Sequence, residues 1–124
     1  MSARTPEDCD HLFAEHMNAA DIDAVVALYE PDATLLLQGQ SFTGAAAIRG
    51  ALAGFAAMRP QLRMNITKVI HAGTDLAVVY NDWTMTATQR DGGTITDSGG
   101  AIEVMRRQAD GTWRFAIDDP RARR

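Results

Sequence analysis

Residues 62 to 118 hold four runs of β-favouring sequence joined by tight turns, and this stretch narrows the folds open to the chain more than any other. Leu62 to Ala72 alternates apolar and polar residues and reads as a strand. Ala72-Gly73-Thr74-Asp75 reads as a turn, and Leu76 to Gln89 as a long strand rich in Val, Tyr, Trp and Thr. Arg90-Asp91-Gly92-Gly93 is a hairpin turn, and Thr94 to Arg107 returns. Gln108-Ala109-Asp110-Gly111 is a second hairpin turn before the last strand, Thr112 to Asp118. Several of these runs exceed the usual strand length of about 5–6 residues, so a sheet built from them must curve strongly.

The first half reads as helices around one short hairpin. Thr5-Pro6-Glu7-Asp8 is a helix start: Thr5 caps, Pro6 suits the first position, and Asp8 returns a bond to the cap. The helix runs to about Ala20, with Cys9, Leu12, Phe13, His16, Met17 and Ala20 as its apolar stripe. Asp21 caps a second helix whose face carries Ile22, Val25, Val26 and Tyr29, and Pro31 stops it. Ala33 to Leu37 and Ser41 to Thr43 form a short hairpin around Gln38-Gly39-Gln40. Gly44 opens a third helix through Ile48, Ala51, Leu52 and Phe55, which ends at Pro60.

Helices and strands segregated in this way mean an α+β domain, in the order α-α-β-β-α-β-β-β-β. A curved antiparallel sheet closed on one side by helices makes a cone with an open mouth, a shape suited to a small ligand. The 124 residues form one expected domain, 1–124, with 120–124 a flexible tail.

Composition sets the outer limits. A net charge of −4 argues against nucleic acid, which calls for a basic face. No apolar run approaches the roughly 18 residues of a membrane span. Cys9 is the only cysteine, so no intrachain disulfide can form; this fits a cytoplasmic protein. Neither a metal-ligand cluster, nor a phosphate loop, nor a Gly-x-Ser-x-Gly nucleophile is present, so no metal or cofactor is expected.

Glu103 is the leading candidate for chemistry. It sits in the apolar run Ala101-Ile102-Glu103-Val104-Met105, and alternation puts Ala101, Glu103 and Met105 on one face. A carboxyl held among such groups has a raised pKa and acts as an acid or donor near neutral pH. The alternative is an ion pair with an arginine such as Arg63 or Arg106, or plain exposure at a dimer face. Asp82 lies on the neighbouring strand with Tyr80 and Thr84 on its face. If that face meets that of Glu103, two carboxyls divide into acid and base. If it does not, Val79, Trp83 and Met85 face the core and Asp82 faces solvent. Trp83 and Trp113 are core, or part of an apolar outer sheet face.

Asn18-Ala-Ala-Asp-Ile-Asp-Ala-Val-Val-Ala-Leu-Tyr29 with Pro31-Asp32-Ala33-Thr34, Gly44 with Ile48, Ala101-Ile-Glu-Val-Met-Arg106 and Asp110-Gly-Thr-Trp-Arg114 resemble the nuclear transport factor 2-like, or ketosteroid isomerase-like, superfamily, in its SnoaL-like bacterial branch. The resemblance covers nearly the whole chain and implies a cystatin-like cone, with a curved sheet wrapped around helices. It also implies a homodimer through the outer sheet face. Residue by residue, the isomerase's oxyanion-binding acid falls on Glu103 and its supporting tyrosine on Tyr29. Its oxyanion tyrosine falls on Phe13, its general base on Leu37 and its third-helix tyrosine on Leu52. Steroid isomerisation needs a base, and Leu37 cannot take a proton, so the chain is not a true ketosteroid isomerase. In SnoaL-like cyclases an acid on the last strand transfers the proton, and Asp118 is the nearest match.

The resulting expectation is a pocket protein acting on a small, apolar carbonyl or polyketide-like molecule by isomerisation, cyclisation or dehydration. Glu103, Asp82 and Asp118 are the expected catalytic residues. Phe13, Tyr29, Leu37, Leu52, Tyr80 and Met105 are the expected lining. The alternative expectation is a non-catalytic binding or accessory dimer that uses the same pocket.

Overall fold

The computed structural model describes residues 2–123. Helix α1 spans Pro6–Asn18, and its start is the expected capping box: the Asp8 amide donates to Thr5 Oγ1 at 3.2 Å and the Thr5 amide to Asp8 Oδ2 at 3.2 Å. A short α2, Ile22–Val26, is capped by Asp21, whose Oδ1 accepts from the Ala24 amide. Strands β1 (Tyr29–Leu37) and β2 (Gln40–Thr43) form the hairpin, and α3 spans Ala45–Ala57. The rest is β3 (Gln61–Arg63), β4 (Ile66–Ala72), β5 (Leu76–Thr88), β6 (Thr94–Arg107) and β7 (Trp113–Asp119).

The seven strands form one curved sheet in the order β2-β1-β7-β6-β5-β3, with β4 also paired to β5. The helices pack on its concave face, giving the expected α+β cone. Three features differ from the sequence reading. The second helix ends three residues before Tyr29, which opens β1 instead. The cause is tertiary: Tyr29 pairs with Phe115 of β7, and the Phe115 amide donates to Leu28 O at 2.8 Å. Pro31 falls where the β1–β7 register shifts, a place where a missing N–H is tolerated.

Second, the sheet is mixed, not antiparallel throughout, because β1 runs parallel to β7. Third, the run from Leu62 to Ala72 is broken into β3 and β4. The amide of Asn65, at the break, donates to the side chain of buried Asn81 at 3.0 Å. Asn18, at the end of α1, holds β3 in place by accepting from the Leu62 amide at 2.7 Å and donating to its carbonyl at 3.1 Å.

Residues 120–123 do not hang free as expected of 120–124, of which Arg124 lies outside the described residues. The Arg123 amide donates to Gly100 O at 3.0 Å and Trp83 Nε1 to Pro120 O at 2.8 Å, so the chain continues along the edge of β6 that β7 leaves open. Room for this comes from two glycines. A Cβ at Gly99 would stand 2.5 Å from the Trp83 ring, and one at Gly100 would stand 3.1 Å from the Arg123 guanidinium.

Candidate functional site

The burial pattern of β5 settles which way its side chains face. Ala77, Val79, Asn81, Trp83, Met85 and Ala87 are buried, and the residues between them are not. On β6, Ala101, Glu103 and Met105 are buried on the same concave side. Glu103 stands directly across from Val79 on one neighbour and from Asp118 on the other. Directly opposed residues share a face, so the carboxyls of Glu103 and Asp118 enter the interior together.

Asp118 reaches that face through an irregularity. The β6–β7 register shifts between Val104 and Met105, which oppose Ile117 and Phe115, so Ala116 is the extra residue. Strict alternation would put Phe115 and Asp118, three apart, on opposite faces. The bulge lets both point inward.

A third carboxyl comes from the helix. Asp10 lies on α1 at the spacing of the inward residues Pro6, Phe13 and Met17, and is fully buried. The sequence reading passed over it because it is charged. The available signal was its position, four residues after Pro6 and three before Phe13.

These acids have few donors. The Tyr29 hydroxyl donates to Asp118 Oδ2 at 2.6 Å. Glu103 lies within hydrogen-bonding reach of Asp10, Asp118 and Asn81. Neither oxygen of Asp10, nor Oε1 of Glu103, receives a bond from an N–H or hydroxyl among the described residues. Burial dominates the electrostatics. Desolvation pushes the Asp10 carboxyl up to about 6, against the opposing influence of Glu103 as a hydrogen-bond donor. Desolvation likewise pushes Asp118 up to about 7, partly offset by the bond from Tyr29. Glu103 is raised well above the usual carboxylate range by burial first and then by the neighbouring charge of Asp10. The Tyr29 phenol is raised as well, by burial and by Asp118. Of the three carboxyls, all raised, Glu103 is the one that burial and its anionic neighbours push furthest toward the neutral form.

Among the described residues no three His, Cys, Asp or Glu side chains are grouped to hold a metal ion. Cys9 is buried, and desolvation raises its thiol, which makes it a poor nucleophile.

The expected site residues divide into two sets. Glu103, Asp118, Tyr29, Phe13 and Met105 come together on the concave side. Phe13 meets the Tyr29 ring edge-on at 6.5 Å, and Tyr29 stacks on Phe115 at 4.8 Å. Leu52 is buried on α3, and Leu37 is half-buried near the end of β1. Asp82 and Tyr80 are on the opposite face. This corrects the reading that joined Asp82 to Glu103: Asn81, not Asp82, has the inward parity. Asp82 accepts from Arg123 at 2.8 Å, and the Arg123 guanidinium lies 5.2 Å from the Tyr80 ring. Two clefts of about 460 and 480 Å³ lie elsewhere, one over Glu30, Val104 and Ile117 and the other beside Arg4, His11 and Glu15.

An α+β cone of helices packed on a mixed seven-stranded sheet is the fold of the nuclear transport factor 2-like superfamily. The SnoaL-like domain family matches residues 10–124, and the chain belongs to it. A conserved protein from Planctomyces limnophilus is similar in structure, with a TM-score of 0.82 and 19% identity over 91% of this chain and 89% of the other. A ketosteroid isomerase-like protein from Erwinia carotovora atroseptica gives a TM-score of 0.80 at 22% identity, covering 91% of this chain and 89% of its own. A nuclear transport factor 2-like superfamily protein from Salmonella enterica gives 0.78 at 20%, covering 90% and 84%. At these identities the likeness establishes the fold alone. No curated protein matches the chain by sequence. No helix among the described residues is long and apolar enough to cross a membrane.

Proposed function

We propose that this chain is a pocket protein that moves a proton on a small, mostly apolar carbonyl or polyketide-like molecule, in an isomerisation, cyclisation or dehydration. The observation that carries this reading is the convergence of three buried carboxyls, Asp10, Glu103 and Asp118, on one interior point. Three acids withdrawn from water with no ion pair to any of them among the described residues cost stability, and such an arrangement is typical of sites where acid and base roles are divided. Glu103 supplies the proton. Asp118, held by Tyr29, is the second proton-transferring group. Leu37 in place of a base argues against steroid isomerisation. The test is Glu103→Gln, assayed on a panel of enones and polyketide-like ketones. Turnover is lost while the thermal midpoint is kept or raised.

A second reading is a binding or accessory domain without turnover. It is favoured by the aromatic packing of Phe13, Tyr29 and Phe115, which occupies the interior beside the acids. Under it, Glu103→Gln changes ligand affinity alone.

We also propose that a second copy of the chain covers the outer sheet face in a cytoplasmic homodimer. Ile70, Val78, Val104 and Ile117 stand in one cross-strand row over β4, β5, β6 and β7. Ile70 and Ile117 are the exposed large hydrophobic residues among those described, at 43% and 45%. An apolar row of this kind marks an association surface.

A further inference from the structure

We infer that Asp10 is the proton partner of Glu103: the two carboxyls share one proton across the gap between α1 and β6, forming an acid–carboxylate pair beside the Tyr29–Asp118 pair. This deepens the reading above and rests on it for its functional meaning, though not for its geometry.

The argument is one of donors and acceptors. Asp118 has a donor of its own, the Tyr29 hydroxyl at 2.6 Å. Asp10 has none: both its oxygens are buried and neither receives a bond from an N–H or hydroxyl among the described residues. A buried carboxylate without a donor is strongly disfavoured. The group in reach of it is Glu103, one of whose oxygens is likewise unpartnered. Two carboxylates accept and do not donate, so the contact closes when one of them keeps its proton. Both are buried, Glu103 is the more strongly raised, and its bond lowers Asp10, so Glu103 carries the proton and Asp10 accepts it.

The groups facing this pair are mostly anionic or neutral. From β7 comes Asp118, beside Asp119; from β1, Tyr29; from β5, the neutral Asn81. On α1 itself Cys9 stays neutral, Glu7 adds negative charge, and exposed His11 opposes it. With no ammonium or guanidinium group hydrogen-bonded to the pair among the described residues, it binds one proton more firmly than either acid does alone and resists losing the last one. In that state the one proton is held in the bond between the two carboxyls, and the pair carries a single negative charge. Asp10 is thus a positioning residue that fixes the proton on Glu103, and a carboxyl that Leu37 does not provide.

The experiment is a carbon-13 NMR titration of the side-chain carboxyls in the full chain, without any ligand. Asp10 and Glu103 are expected to titrate as a pair, each showing both midpoints. In Asp10→Asn the neighbouring charge is gone and an amide donor replaces it, so the Glu103 midpoint moves to lower pH. In Tyr29→Phe the Asp10–Glu103 coupling persists. Independent single-step curves for Asp10 and Glu103 overturn the inference, as does a Glu103 midpoint unmoved in folded Asp10→Asn. If that variant does not fold, the wild-type curves decide alone. Proton sharing is read without substrate, so its failure is distinct from a failure of turnover with Glu103→Gln.

Discussion

The hydroxyl of Tyr29 is 2.6 Å from Oδ2 of Asp118, a bond between residues 89 apart in sequence that joins the start of the hairpin to the last strand. It is buried, and it gives Asp118 a donor. Tyr29→Phe leaves that carboxyl without it. The expected loss of stability is about 1–3 kcal/mol at pH 8, where Asp118 is ionised, since a charged acceptor loses more than a neutral one. At pH 5 the loss is smaller. Chemical denaturation at the two pH values checks this; an equal loss at both means that Asp118 does not change its charge between them.

Gly99 and Trp83 face each other across β5 and β6, and the ring occupies the space a side chain at 99 would need. Gly99→Ala displaces the indole, breaks its 2.8 Å bond to Pro120 O and frees the last residues. Overpacking of this kind costs about 1–3 kcal/mol. Gly50, exposed on α3 with open space around it, provides the control: Gly50→Ala stabilises by roughly 0.5–1 kcal/mol. Thermal melts of the two variants should move in opposite directions.

Much of the fold is legible because local signals agree with it. The Thr5–Asp8 capping box, the Asp91–Gly93 and Asp110–Gly111 turns and the alternation around Glu103 all read correctly. Tyr29 does not, because its strand conformation comes from pairing with Phe115, far away in sequence. Asp82 is ambiguous for a related reason: β5 carries large apolar residues at Val78 and Tyr80 as well as at Val79 and Trp83, so alternation alone does not choose a face. Asn81 decides it, and a buried asparagine looks like a surface one in sequence. Asp10 is the reverse case, an acid whose helical spacing places it inside. Asp118 depends on the bulge at Ala116, which leaves no local mark.

The row Ile70, Val78, Val104 and Ile117 leads to a prediction about assembly. Ile117→Lys puts a charge in the middle of the outer face, which a second copy cannot cover without burying it. Light scattering at tens of micromolar should give twice the chain mass for the wild type and the single-chain mass for the variant, with the near-ultraviolet spectrum of Trp83 and Trp113 retained. A wild type that scatters as a single chain at that concentration removes the proposed dimer face.

The acid cluster also fixes the sign of the pH dependence of stability. Asp10 titrates at about 6 and Asp118 at about 7 in the folded chain, both above the ordinary carboxylate value near 4. Between these values the folded state binds more protons than the unfolded one, so stability falls as pH rises. The contribution is complete below about pH 4 and is lost as pH passes 6 and then 7, and Glu103, raised further, extends the decline upward. Each pKa unit is worth about 1.4 kcal/mol, so the decline between pH 5 and pH 8 should exceed about 1 kcal/mol. Exposed Asp110, held below the usual carboxylate range by the hydroxyl and amide donors of Thr112, acts in the opposite direction and only in strong acid. Thermal midpoints should therefore drop steadily from pH 5 to pH 8. Asp10→Asn should flatten that drop and raise the midpoint most at pH 8, because it removes a carboxylate that must otherwise ionise out of water. A wild-type midpoint that climbs over the same range would mean that the three carboxyls ionise more easily folded than unfolded, which their burial forbids.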